Sequence, residues 1–254
     1  MVVNRVVTRG SRPNDRTGCQ GGENHEGENI VTQKTQKQSR ATFPAPERRA
    51  SGGHGPGRGP ELHQERAVQT RDQILDAAAE LFDRHGYAGT SVKNVADRVG
   101  MTKGAVYFHY PTKEALTIAV VDALYDRWPL LLEAVQAKGL GPMDTLSELL
   151  DQTAATFKDD VVVQGGVRLQ MEQPLPEGVL PQPYVGWISL IEQLLAEAEE
   201  AGELRAGVSP SAAAHTLVST FFGTQHIAAR LDRRQDLTQR WEEARDLIFY
   251  ALRA

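Results

Sequence analysis

The sequence predicts an all-α protein with two folded parts. A small N-terminal three-helix domain carries a helix-turn-helix, and a larger helical domain follows it. Three observations predict this. Apolar residues recur at helical spacing in one segment after another from Gln64 to Leu252. Between Thr90 and Lys113 two short helical patterns flank Val99-Gly100-Met101, a tight glycine turn. Hydroxyl residues stand where helices should begin, at Thr90 or Ser91, Thr102, Thr112 and Ser209.

The first helix is expected over about Gln64–His85, with Ile74, Leu75, Ala78, Leu81 and Phe82 on one face and Gly86 ending it. Thr90 or Ser91 can cap the next, in which Val92, Val95, Ala96 and Val99 share a face and Gly100 supplies the terminating conformation. Thr102 caps the helix that carries Lys103, Gly104, Tyr107 and His109; Phe108 is expected in the core. Pro111 stops this helix, because the residue before a proline is pushed away from helical angles. Thr112 caps a longer helix with Glu114 at its positive end, continuing towards Trp128 until Pro129 kinks or breaks it. Beyond a loop at Lys138–Pro142, Met143–Phe157 is a helix. Val161–Met171 suits strand or helix by pattern, and its all-helical surroundings favour helix. A proline-rich loop, Pro174–Pro183, precedes helices over Tyr184–Gly202, Ser211–Leu231 and Leu237–Leu252. The domain boundaries follow: a disordered tail over 1–60, the helix-turn-helix domain over 61–113 and the larger domain over 114–254.

The net charge of -5 is unevenly spread. Residues 1–60 hold ten Lys and Arg against five Asp and Glu, 61–113 seven against seven, and 114–254 eleven against twenty-one. The acidic half is a poor surface for phosphate, so a DNA surface belongs before Glu114. The tail has Phe43 as its only aromatic and no apolar periodicity, too little to offset the entropy of ordering it. It reads as a passive tail, or one added by an upstream start codon, or as a basic arm whose Arg48, Arg49, Arg58 and Arg66 add phosphate contacts. The single cysteine, Cys19, cannot make an internal disulfide. No apolar run of membrane-spanning length and no signal core occur, so a cytoplasmic protein is expected. The histidines lack metal-ligand spacing, and neither a phosphate-binding Gly-Lys-Ser/Thr loop nor a Gly-x-Ser-x-Gly elbow is present. An enzyme, a metal and a cofactor are therefore not expected.

The run Gln69-Thr-Arg-Asp-Gln-Ile-Leu-Asp-Ala-Ala-Ala-Glu-Leu-Phe-Asp-Arg-His-Gly-Tyr87, followed by Thr90-Ser-Val-Lys-Asn-Val-Ala96 and Thr102-Lys-Gly-Ala-Val-Tyr-Phe-His-Tyr-Pro-Thr-Lys-Glu-Ala-Leu116, resembles the DNA-binding domain of TetR-type repressors. Further matches at Pro183-Tyr-Val-Gly-Trp187, His215-Thr-Leu-Val218 and Gly223-Thr224 are similar to the autoregulator receptors of antibiotic-producing actinobacteria. Tyr125-Asp-Arg-Trp-Pro129 resembles the methylenomycin-furan receptors among them.

The resemblance implies a repressor that binds a pseudo-palindromic operator on double-stranded DNA as a homodimer through its last two helices. A furan- or butyrolactone-type signal would release it and so control antibiotic genes; the alternative is a pseudo-receptor of the same fold that answers to antibiotics or to no autoregulator. It places Thr102, Lys103, Gly104 and Tyr107 on the DNA face, His109 and Lys113 at phosphates, and Thr90 and Lys93 at the other strand. The chemistry fits: a lysine donates to phosphate or guanine, and a tyrosine offers a ring to a thymine methyl. Packing between helices is the competing account of Tyr107 and His109. For the ligand, Trp187 would stack on its ring while Tyr125, Gln170 and Tyr184 hydrogen-bond its edge. Thr220, Phe221 and Phe222 would line the cavity. Arg168 would pair with a ligand carboxylate, or equally with Glu172 one turn on. The dimer stripes are read as Ala213, Leu217, Thr220, Phe221 and Thr224, and Trp241, Leu247, Ile248 and Leu252; packing on the protomer's own core is the plainer account of both.

Overall fold

The computed structural model describes residues 58–254, with side chains from Gln64 onward. The tail expected over 1–60, with Arg48 and Arg49, lies almost wholly outside the described residues. Ten helices make up the described part: α1 (Arg58–Gly89), α2 (Val92–Val99), α3 (Lys103–His109), α4 (Lys113–Tyr125), α5 (Arg127–Gln136), α6 (Pro142–Asp159), α7 (Val161–Glu172), α8 (Val185–Glu200), α9 (Pro210–Leu231) and α10 (Leu237–Leu252). Among the described residues the sole β feature is an isolated antiparallel bridge between Leu204 and Arg253. No described helix is long and apolar enough to cross a membrane.

The helix ends follow from local chemistry. α1 begins before the expected Gln64 and is interrupted at Gly86, whose φ of 70° and ψ of 179° a residue with a Cβ rarely adopts. Ser91 caps α2 in a reciprocal box: its hydroxyl accepts the Asn94 N–H at 3.2 Å, and the Asn94 side chain accepts the Ser91 N–H at 3.0 Å. Thr102 and Thr112 cap α3 and α4 by accepting the Ala105 and Ala115 N–H groups at 3.2 and 3.0 Å. The break after α4 falls at Asp126, ahead of Pro129, which sits in the first turn of α5, where its missing N–H costs nothing. Asp160 caps α7 by accepting two backbone N–H groups, from Val162 and Val163, so Val161–Glu172 is helical.

Two cores form. The first gathers Ile74, Ala78, Phe82, Val95, Val106, Leu116 and Val120, and also takes Leu169 from α7 and Leu175 and Leu180 from the proline-rich loop. The second gathers Leu124, Trp128, Phe157, Trp187, Leu195, Phe221 and Trp241. α4 and α7 serve both. Leu116, Val120 and Val121 face the first core and Leu124 the second; Val162 and Leu169 face the first, Val163 and Val167 the second. The first core thus runs past residue 113 into α4.

α7 lies unusually close to its neighbours because of Gly165-Gly166. A Cβ on Gly165 would stand 2.3 Å from the Ala79 carbonyl oxygen, and one on Gly166 2.8 Å from the Leu124 Cβ. The stripes expected to face a second copy mostly turn inward: Ala213, Leu217, Phe221, Trp241 and Leu252 are buried in the protomer's own core. Leu247 of the second stripe stays exposed, as do the large apolar side chains of Ile227, Leu231 and Tyr250.

Candidate nucleic-acid interface and ligand cavity

α3 is short, and its inward face is set by Val106 together with Tyr110 just past its end, one turn apart and both buried. Thr102, Lys103 and Gly104 are exposed at its N-terminal end, and Tyr107 shares that side, its ring 5.4 Å from the Lys103 ammonium. A Cβ on Gly104 would meet nothing nearer than the Thr102 Oγ1 at 3.9 Å, so the backbone there is open to close approach. Lys93 is exposed on α2, paired with Asp97 at 2.6 Å.

One expectation is corrected, and two expected DNA contacts are held by partners within the chain. Phe108 is not core: it is 84 % exposed, because Val106 and Tyr110 take the inward positions and leave the residue between them pointing out. It stacks edge-on against His109, which is half-buried, with ring centroids 5.3 Å apart. Thr90 is only 3 % exposed, and its hydroxyl donates to the carbonyls of Gly86 and Leu81, so it ties the α1–α2 corner. Lys113 is half-buried. Its ammonium donates to the Tyr87 carbonyl and lies 3.8 Å from the centre of the Tyr87 ring, while the Tyr87 hydroxyl donates to Glu114 at 3.0 Å. Burial pushes the Lys113 ammonium below its ordinary pKa, as expected of a cation in a partly dry niche.

The four ligand candidates come together. Tyr125 from the end of α4, Gln170 from α7, Tyr184 from the loop and Trp187 from α8 line one cavity, with Trp128, Phe157 and Phe222 among its other walls. Its volume is about 30 Å³, room for a single water. Its walls are stacked rings: Trp128 to Trp187 at 5.2 Å and Tyr184 to Phe222 at 4.7 Å, both near-perpendicular. Burial raises the Tyr125 phenol above its ordinary pKa, so it stays protonated and can donate. Tyr184 sits at φ 69°, a left-handed conformation rare for a side chain of its size. Gln170 is 5 % exposed, and neither its Nε2 nor its Oε1 has a hydrogen-bond partner. A buried amide left unpaired costs of the order of 1–3 kcal/mol per group, a cost that one water in the cavity, or a guest with a donor and an acceptor, would offset. Of the other expected wall residues, Phe222 lines the cavity while Thr220 and Phe221 do not.

α7 also reaches the helix-turn-helix. Arg168 pairs with Glu172 at 2.5 Å and so takes the second of its two expected roles. Glu172 in turn accepts the Tyr87 N–H at 2.8 Å, just past the Gly86 break in α1. Burial alone would raise the Glu172 carboxyl; the Tyr87 N–H and Arg168 outweigh it and hold it below its ordinary value. One helix therefore presents an unpaired amide to the cavity and a charged clamp to the corner that carries α2 and α3.

An exposed second helix on a helix-turn-helix, packed onto a helical domain with an aromatic-lined cavity, defines a two-part helix-turn-helix protein. Comparison with known proteins makes the class specific. Residues 74–120 match the family described as bacterial regulatory proteins, tetR family. The chain is 31 % identical over 182 residues to the A-factor receptor protein of Streptomyces griseus, across 70 % of this chain and 63 % of that one. The match thus spans somewhat less than two thirds of that relative. TylP, a TetR regulator from Streptomyces fradiae, has a full-length crystal structure that is 31 % identical over 74 % of this chain and 89 % of its own, with a TM-score of 0.54. A structure presented as the molecular basis for control of antibiotic production by bacterial hormones is 53 % identical over 74 % of this chain and 99 % of its own, with a TM-score of 0.66. The chain belongs to the TetR family, whose members are regulators and not enzymes.

Proposed function

We propose that this chain is a ligand-responsive transcriptional repressor. It binds a pseudo-palindromic operator as a homodimer and leaves it when a small furan- or butyrolactone-type signal occupies the aromatic cavity. The controlled genes would be those of antibiotic production, in the cytoplasm. The observation that carries the reading is the Gln170 amide, buried and unpaired among Tyr125, Tyr184 and Trp187. A flat oxygen heterocycle with a hydroxyl or carboxyl group offers what that site lacks: a donor and an acceptor at its edge and an apolar face for the rings. The similarity to an A-factor receptor supports the same class of signal.

Thr102, Lys103, Gly104 and Tyr107 would meet DNA, with Lys93 and His109 at the margins. Phe108 joins them as an exposed apolar ring on the same short helix. Two such helices are needed, since one alone supplies little affinity and a dimer reads half-sites about one turn apart. The exposed Ile227, Leu231, Leu247 and Tyr250 are the natural contact for a second copy through α9 and α10.

The cavity of about 30 Å³ is closed to any such guest, so entry must displace rings. Displacing Tyr125 moves the end of α4, whose first turn adjoins α3; displacing Gln170 moves α7, which grips Tyr87 through Glu172. Both would change the spacing of the two α3 helices. A ligand can drive this only by its difference in affinity for the two states, typically ~1–3 kcal/mol.

A gel-shift on a palindromic operator, with and without furan and butyrolactone extracts, tests the reading. Lys103→Ala and Tyr107→Ala should abolish the shift. Trp187→Ala should hold DNA but no longer release it. If no furan or butyrolactone releases the wild type, the chain is a pseudo-receptor and the proposed signal is wrong.

A further inference from the structure

A second concavity lies apart from the aromatic cavity. It is a groove of about 870 Å³ between the last turns of α1, one face of α7 and the C-terminal end of α9. Five arginines line it (Arg84, Arg168, Arg230, Arg233 and Arg234) against three carboxylates. All three carboxylates are engaged: Glu80 with Arg84 and Arg98, Asp83 with Arg234, and Glu172 with Arg168 and the Tyr87 N–H. Arg230 and Arg233 are exposed and form no salt bridge with any described residue.

Two residues of this wall each carry a polar atom that is buried without a partner among the described residues and is closed to solvent in the unliganded chain. One is an acceptor, Oε1 of Gln225, a residue 2 % exposed; the other is a donor, Nε of Arg234, a residue 7 % exposed. Cations at the C-terminal ends of helices complement the dipole, and that would account for Arg84 and Arg230 on their own. It leaves the Gln225 acceptor and the Arg234 donor unexplained, and it requires no groove. In a half of the chain that is otherwise strongly acidic, a cluster of guanidiniums around such a space is an anion receptor by chemistry.

We propose that this groove is a second ligand site, which takes a small organic oxyanion bearing a hydroxyl group. The oxyanion accepts from the exposed Arg230 and Arg233, and its entry shifts the wall so that the Arg234 Nε–H also donates to it and the Gln225 Oε1 accepts from the hydroxyl. The site joins α9 of the larger core to α1 beside the Gly86 break, so its occupancy adds an input distinct from the aromatic cavity.

Isothermal titration of the full chain tests it, with citrate as a hydroxylated carboxylate, glycerol 3-phosphate as a hydroxylated phosphate ester, and sulfate at matched ionic strength as the control. Saturable binding of citrate or glycerol 3-phosphate, with sulfate weaker, is the expected result. Arg230→Gln combined with Arg233→Asn should weaken it by about tenfold or more. Asparagine is chosen because Arg233 has φ 59°, which asparagine tolerates. If citrate is the ligand, wild type should prefer it to tricarballylate, the same tricarboxylate without the hydroxyl, and Gln225→Met should erase that preference; if only glycerol 3-phosphate binds, the same variant should weaken it. Absence of saturable binding, equal binding of sulfate, or wild-type affinity in the double arginine variant would each overturn the proposal.

Discussion

The two cores that meet along α4 and α7 are built from different material. The first is mostly aliphatic: Ala77, Ala78, Ala79, Val92, Val95, Val106, Val120 and Val121 surround Phe82 and Tyr110. The second holds Trp128, Phe157, Trp187, Phe221, Trp241 and Phe249, many in edge-on contact, such as Phe157 with Phe221 at 5.3 Å and Phe221 with Trp241 at 5.0 Å. Short side chains let α1 and α7 approach until only glycine fits between them, and they leave one packing solution. Large flat rings cannot fill every corner, and the corner they leave is the cavity beside Gln170. The difference suits the first core to moving as one piece and the second to being opened by a guest.

Substitutions can break that contrast. Phe82→Ala, in the centre of the aliphatic core, should cost about 3–5 kcal/mol, read from urea unfolding. Gly165→Ala comes next, at about 3 kcal/mol, because its Cβ meets the Ala79 backbone, which cannot rotate away. Gly166→Ala meets the Leu124 Cβ, which rotation of that side chain does not move, at a longer 2.8 Å and should cost about 2 kcal/mol; equal costs at the two glycines would show that both cores yield alike. Gln170→Leu should stabilise the chain by about 1 kcal/mol, since it removes two unpaired buried atoms, and should abolish ligand release of DNA. A loss of stability there would mean that the amide has a partner in solution.

The smallest effect concerns the clamp between the cores. Glu172 is held below its ordinary carboxyl value of 4.5, so its contribution is complete well above that pH and is lost as pH falls through the lower folded value. Glu172→Gln should therefore be less stable than wild type near neutrality, by under about 1 kcal/mol, and equal to it in strong acid. A gap that persists unchanged into acid would assign the effect to packing instead of charge.

Much of this arrangement is legible in the order of residues alone. Helical spacing locates the elements, and Thr102, Thr112 and Ser209 cap where a hydroxyl precedes a helical run. Family likeness singles out four cavity residues, and one cavity contains them all. Three side chains depart from expectation because another residue claims each position, close by in sequence for Thr90 and Phe108 and 26 residues away for Lys113. Thr90 and Ser91 are chemically alike, and only the carbonyls of Leu81 and Gly86 beside Thr90 decide which one caps α2. Phe108 is apolar but lies between two better-placed neighbours, Val106 and Tyr110, that fill the space under α3. Lys113 has the charge for phosphate but finds Tyr87 first. The arginine groove leaves no mark in the sequence, since Glu80, Arg168 and Arg233 are far apart in the chain and share no period.

Where α2, α3, α4, α7 and α9 start is thus set by the chain itself, because their caps act on backbone groups a few residues away. Which way a side chain finally points is decided by tertiary packing. Burial, pairing and the leftover donors and acceptors of Gln170, Gln225 and Arg234 depend on what another helix brings opposite, and no local pattern carries that information.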